Sequence, residues 1–106
     1  MKVTVRQLVF ERLEADINSG LIYIAGKEIP FTQKEKDLLF YFLRHQDKPI
    51  PKEILAEVIL GSDASWLEDF NIVFTMVRQV VKKLAAYGCE GYIQEVQNGF
   101  YTLGKS

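Results

Sequence analysis

The 106-residue chain is poor in the residues that mark secreted, membrane and metal-binding proteins. Its single cysteine, Cys89, leaves no internal disulfide and no thiolate cluster, and such usage suits a reducing cytoplasm. Its single histidine, His45, stands beside Arg44 and Asp47 at the end of an expected helix with no second imidazole nearby. A cation at a helix terminus is its expected role, and no metal is expected. No apolar run approaches the roughly 18 to 20 residues of a membrane span, and Met1-Lys2 opens no signal-type apolar core, so no membrane association is expected. An excess of one charge is missing as well. Thirteen Lys and Arg against 14 Asp and Glu give a net charge of −1, where polyanion-binding domains usually carry a marked basic surplus.

Catalytic signatures are equally scarce. No Ser, His and Asp are spaced as a nucleophile with its base, so an enzyme is not expected. Gly99 to Ser106 spells the phosphate-loop pattern G-x-x-x-x-G-K-S, but its interior Phe-Tyr-Thr-Leu has strand composition and no helix follows to receive a phosphate. The match reads as an accident of spelling, and no cofactor is expected.

What the chain does contain is one basic, helix-periodic stretch, Asp69 to Leu84. Val73, Val77, Val80 and Leu84 recur at i, i+4, i+7 and i+11 and form one apolar stripe, leaving Asn71, Thr75, Arg78, Gln79 and Lys82 on the opposite arc. Between Asn71 and Gly88 there are three cations, Arg78, Lys82 and Lys83, and no acid. The last third of the chain places its acids at Asp63, Glu68, Asp69, Glu90 and Glu95, flanking this helix. Short polar and cationic side chains of this kind suit base edges and phosphates. An ordinary surface helix has the same periodicity.

The remainder arranges itself around that stretch. Val3 to Val5, Leu8 to Phe10 and Leu21 to Ala25 read as short strands, with turn signals at Asn18-Ser19-Gly20 and Gly26-Lys27, in an antiparallel sheet of three or four strands closing at Glu28 to Phe31. Thr32-Gln33-Lys34-Glu35 has the spacing of a capping box and predicts a helix start, with Leu38, Leu39, Phe42 and Leu43 on its buried face. A second helix is predicted from Pro51 to Gly61, turning Ile54, Leu55, Val58 and Ile59 inward, with a loop to Glu68 after it. Past Gly88, Tyr92 to Val96 and Phe100 to Leu103 form a hairpin about Gln97-Asn98-Gly99, Asn-Gly being the strongest short hairpin signal.

The chain thus reads as one α+β domain over 1–106: an N-terminal antiparallel sheet (1–31), a three-helix core (32–88) and a C-terminal β-hairpin wing (89–106). That order is a winged helix-turn-helix, whose third helix enters the major groove.

The sequence also resembles the OmpR/PhoB-type winged-helix effector domain of bacterial response regulators over about residues 8 to 103. Ile24 to Ile29 followed by Phe31-Thr32-Gln33-Lys34-Glu35 resembles that family's strand, Gly turn, strand and "LTxxE" helix start. Leu38-Leu39 with Phe42-Leu43 fits its "LLxxL", Ile50 to Leu55 its "vsreeL", and Tyr101-Thr102-Leu103 its wing strand. Phe74-Thr75-Met76 departs from the usual Asp-Val-His, Val81 and Gln97 from two arginines, Phe100 from a wing glycine and Lys36 from an aromatic or aliphatic residue. The ending from Gly88 to Ile93 and from Asn98 to Tyr101 is similar to the winged-helix module of SARP-like activators.

The resemblance implies sequence-specific binding of double-stranded DNA for transcriptional regulation, with pairing on DNA, for instance as a homodimer. Asn71, Thr75, Arg78 and Gln79 are expected at base edges, and Lys82, Lys83 and the wing residues Asn98 and Tyr101 at the backbone. Tyr101 serves equally well to close the core, and Phe74 and Met76 either extend the core or make apolar contacts outward. Lys34 and Lys52, near helix starts, rank lower because exposed lysines are usually just solvated. Trp66 either packs over the helices, the commoner role, or presents a loop that in the resembled family meets RNA polymerase. The competing reading, motivated by the net charge, Val81 and the Phe74/Met76 pair, is a degenerate winged helix used for protein interaction.

Overall fold

The computed structural model describes residues 7–97 and 99–104. Four antiparallel strands open it, β1 (Gln7–Phe10), β2 (Leu13–Asp16), β3 (Ile22–Ile24) and β4 (Lys27–Glu28), in the order β1-β2-β3-β4. The pleat sends Leu13, Ala15, Ile22 and Ile24 into the core, while the cross-strand partners Glu14 and Tyr23 take the other face. The expected sheet is there, and Val3 to Val5 lies outside the described residues. β2 was not expected. Its Leu-Glu-Ala-Asp alternates properly, but Glu, Ala and Asp are poor strand formers and mask the period. The sheet also closes earlier than Phe31: β4 ends at Glu28, and Ile29 and Phe31 continue into the core as extended chain.

Helix α1 (Gln33–Arg44) begins at the predicted capping box. The Glu35 amide donates to Thr32 Oγ1 at 3.3 Å and the Thr32 amide to Glu35 Oε1 at 2.8 Å, so two helix-start donors are satisfied reciprocally. Leu38, Leu39, Phe42 and Leu43 are buried as the periodicity requires. His45 is the C-cap residue, and its ring lies 4.3 Å from that of Tyr41. After the helix the Asp47 amide donates to the Leu103 carbonyl at 2.8 Å, fastening this turn to the C-terminal sheet.

Helix α2 runs from Lys52 to Leu60 and buries Leu55, Ala56 and Ile59, with Ile54 and Val58 half-buried. Pro51 is its N-cap and not its first residue. Together with Ile50 it forms a two-residue strand, β5 (Ile50–Pro51), unannounced in a sequence where prolines flank Ile50 on both sides. Proline is tolerated there because an edge position asks for no amide donor. The segment expected as plain loop contains a 3-10 helix from Gly61 to Trp66.

Helix α3 (Asn71–Ala86) starts two residues after Asp69 and ends at Ala86, within the stop expected around Ala86 to Gly88. Asp69 stays outside as an acceptor, its Oδ1 taking the Asn71 amide at 3.0 Å. Past the helix, Gly88 takes a positive φ of 85° and lets the Cys89 amide reach back to the Leu84 carbonyl at 2.8 Å. Strands β6 (Ile93–Gln97) and β7 (Phe100–Leu103) form the hairpin, and β7 also pairs with β5, giving a three-stranded sheet ordered β5-β7-β6. The buried side chains of both sheets and all three helices belong to one cluster, from Leu13 to Leu103.

Candidate nucleic-acid interface

The period of α3 separates its side chains cleanly. Val73, Val77, Val80 and Leu84 are buried, and Asn71, Thr75, Arg78, Gln79 and Lys82 are exposed on the other arc. Phe74, Met76 and Val81, the apolar departures, are half-buried against the core. They pack partly into the interior, and of the α3 side chains that face outward only Ile72, 41% exposed, is a large apolar one among hydrogen-bonding and cationic groups.

Lys83 is placed differently from its neighbour Lys82. Its ammonium donates to Glu35 Oε1 at 2.8 Å, approaches the Pro30 carbonyl at 3.4 Å and lies 5.4 Å from the Phe31 ring centroid. Glu35 is 3% exposed, so Lys83 answers a buried carboxylate and ties α3 to the start of α1. Burial alone would raise the Glu35 carboxyl, but hydrogen bonds from Lys83 and the Thr32 amide outweigh it and hold the group below its ordinary value. The resemblance places Lys83 at the DNA backbone. Its partner, 48 residues away, carries no local signal.

Between α3 and the hairpin lies a cleft of about 390 Å³. Phe74, Val77, Arg78 and Val81 line it from the helix, and Ile93, Glu95 and Tyr101 from the hairpin. Tyr101 is only 9% exposed, with its ring centroid 6.5 Å from that of Phe74, and serves the core more than the surface. Burial and the nearby Glu95 charge push its phenol above the ordinary value, while Arg78 opposes them. Glu95, which the sequence does not single out, also borders the cleft. It is exposed, and its Oε2 accepts the Gly99 amide at 3.0 Å across the hairpin turn. Strand alternation places it on the face shared with Tyr101, a signal available once the hairpin is recognised. Asn98 lies outside the described residues.

Other candidates are placed as follows. Trp66 is 83% exposed and does not pack over the helices. Lys34 donates to the Ile59 carbonyl at 2.6 Å and caps the end of α2. The Lys52 ammonium lies 3.4 Å from Glu53 and 5.2 Å from the Phe70 ring centroid, while the Lys52 amide donates to the Gly99 carbonyl at 2.8 Å. Glu53, Glu57, Asp63, Glu68 and Asp69 are all exposed, and no Lys or Arg occurs between Glu53 and Val77, so the segment that carries Trp66 is acidic, with Lys34 and Lys52 at its borders. Among the described residues no group of three or more His, Cys, Asp or Glu is arranged to hold a metal ion, and no helix is long and apolar enough to cross a membrane.

A capped helix pair, a third helix with a polar outward ridge and a hairpin beside it define a winged helix-turn-helix. Residues 26–103 match the family described as "Transcriptional regulatory protein, C terminal", and the chain belongs to that family of OmpR/PhoB-type domains, which are transcription regulators and not enzymes. The response regulator SaeR of Staphylococcus aureus (strain USA300) is 32% identical over 80 residues, covering 76% of this chain and 34% of SaeR. The chain spans 34% to 41% of the length of the curated relatives it matches first. The fold is shared with the response regulator AdeR DNA-binding domain, solved in complex with an intercistronic region (TM-score 0.81, 17% identity, 93% of this chain and 99% of that one). It is shared too with the Klebsiella pneumoniae RstA DNA-binding domain, solved in complex with the RstA box (TM-score 0.77, 19% identity, 93% and 97%).

Proposed function

We propose that this domain binds double-stranded DNA and regulates transcription in the cytoplasm, with α3 lying in the major groove. The observation that carries this is the exposed ridge of Asn71, Thr75, Arg78, Gln79 and Lys82 beside a hairpin, with no carboxylate on α3 itself. Asn71, Thr75, Arg78 and Gln79 face base edges, Lys82 a phosphate, and the hairpin tip at Gln97 to Gly99, with Asn98 in it, the sugar-phosphate backbone. Tyr101 supports the tip from below, and Lys83 supports the helix. Similarity to domains solved with DNA supports the reading.

A salt titration of duplex binding tests it. Log affinity should fall steeply with log salt, Arg78→Ala should weaken binding by about tenfold or more, and Lys82→Ala should flatten the salt slope by about one. Undetectable binding to mixed-sequence duplex at about 50 mM salt would sink the reading. One winged helix reads a few base pairs, so two copies should occupy a duplex of two half-sites cooperatively. Independent filling of the two half-sites would remove the pairing.

The loop around Trp66 is the proposed contact to RNA polymerase. A large aromatic left 83% exposed on a segment that carries the exposed Asp63, Glu68 and Asp69 suits a partner surface with a basic rim and an apolar pocket. Trp66→Ala should leave duplex affinity unchanged and abolish the gain in transcription from a responsive promoter. Equal transcription by both proteins would exclude this contact. Phe74, Met76 and Val81 are half-buried, and the exposed polar and cationic ridge favours DNA over the protein-interaction reading of α3.

A further inference from the structure

We infer that Glu95 has two separable roles on the wing: its oxygen fixes the hairpin turn, and its charge weakens the attraction of the α3 face for any duplex. The inference rests on the DNA reading above and concerns how that face is tuned.

The turn needs an acceptor. Gly99 has a φ of +81°, and its amide points back into the hairpin, where Glu95 Oε2 takes it at 3.0 Å. A neutral amide oxygen on a side chain of the same length can accept that bond as well, though without the charge assistance. The bond therefore needs the oxygen, and the charge only strengthens it. No ion pair among the described residues includes Glu95: those pairs are Lys52 with Glu53 and Lys83 with Glu35.

The charge faces the proposed binding surface. Glu95 pairs across the hairpin with Tyr101 and borders the same cleft as Arg78, of whose described lining residues it is the only carboxylate. Tyr101 feels both charges, Glu95 and Arg78, in opposite directions. A duplex seated on α3 and the hairpin brings phosphates within a Debye length, about 10 Å at 0.1 M salt, of that carboxylate. Arg78 and Lys82 attract those phosphates and Glu95 repels them. Because the repulsion acts on every sequence alike, it lowers binding to arbitrary DNA and leaves the base contacts to decide the site.

The test compares the 106-residue protein with its Glu95→Gln, Glu95→Ala and Arg78→Ala variants on a mixed-sequence duplex. Glu95→Gln should bind about three- to tenfold tighter than wild type at about 50 mM salt, with the difference fading by about 300 mM. The Gly99 amide should remain protected from hydrogen exchange in Glu95→Gln and lose protection in Glu95→Ala. Salt-dependent binding that is weakened by Arg78→Ala yet unchanged or weakened by Glu95→Gln overturns the inference alone. No binding by wild type and Glu95→Gln alike removes the DNA reading, and the inference falls with it. Loss of Gly99 protection in Glu95→Gln overturns the division into oxygen and charge.

Discussion

Glu35 joins three things with one carboxylate: the first turn of α1, the amide of its own N-cap and the ammonium of Lys83 on α3. A carboxylate that is 3% exposed is costly without its partner, so Lys83→Met, which keeps the apolar stem, should destabilise the fold. Lys83 is itself 39% exposed, and this solvent screening keeps the expected cost to about 1–3 kcal/mol. The folded Glu35 carboxyl lies below its ordinary 4.5, so its contribution is complete above that value and is lost as pH falls through the folded one. Urea unfolding at about pH 7 should therefore separate wild type from Glu35→Gln, and the gap should shrink at about pH 3. A gap that persists unchanged would mean that hydrogen-bond geometry, and not ionisation, accounts for the difference. The Thr32–Glu35 half of this site is legible in sequence because a capping box is local. The Lys83 half is not, since periodicity can say which arc of a helix a residue occupies but not which distant carboxylate meets it. The two roles of Trp66 stay open in sequence for a related reason: large aromatics are usually buried, and only a fold shows when nothing covers one.

The β3–β4 hairpin shows at the scale of an element what a mismatched turn costs. Its two-residue loop, Ala25-Gly26, holds both residues at positive φ, 52° and 81°, the geometry that a two-residue hairpin asks for and that Asn-Gly supplies with least strain. Gly26 meets nothing within 4 Å where a Cβ would stand, so Gly26→Ala should lose about 1 kcal/mol through backbone strain alone. Ala25→Asn should gain roughly 0.5–1 kcal/mol, both read as shifts in thermal midpoint. A lower midpoint for Ala25→Asn would show that Ala25 is held by contacts and not strained by its conformation. Elements of this size mark the limit of sequence reading. The long helices are legible from their apolar period, and only the start of α3 shifts, because Asp69 stays outside it as an acceptor for the Asn71 amide. β5 was invisible, because two residues hold no period and Ile50 becomes a strand only when β7 lies beside it. β2 stayed hidden behind the low strand propensity of Leu-Glu-Ala-Asp.

At the scale of the molecule, the order of sheet, three helices and hairpin could be read from the chain, and that order positions α3 beside the wing. What it does not reveal is that the N-terminal sheet shares one buried cluster with the helices. Leu13, Ile22, Ile24, Ile29 and Phe31 are each at most 6% exposed, within the same buried cluster as Leu38, Phe42 and Leu84. The Arg12 guanidinium also donates to the Gly88 carbonyl behind α3, and the Arg12 amide to the Tyr92 hydroxyl at 3.3 Å, so the first hairpin clasps the far end of the third helix. Burying five such side chains contributes on the order of 10 kcal/mol. That is comparable with the whole net stability of a typical domain, about 5–15 kcal/mol. A chain of residues 32–106 should therefore lose its cooperative urea transition and near-UV circular dichroism, although it keeps every residue proposed to touch DNA. Salt-dependent duplex binding should disappear with them, because α3 then has no fixed surface to present. A two-state transition in that shortened chain would show that the three helices and the wing hold the recognition surface without the sheet.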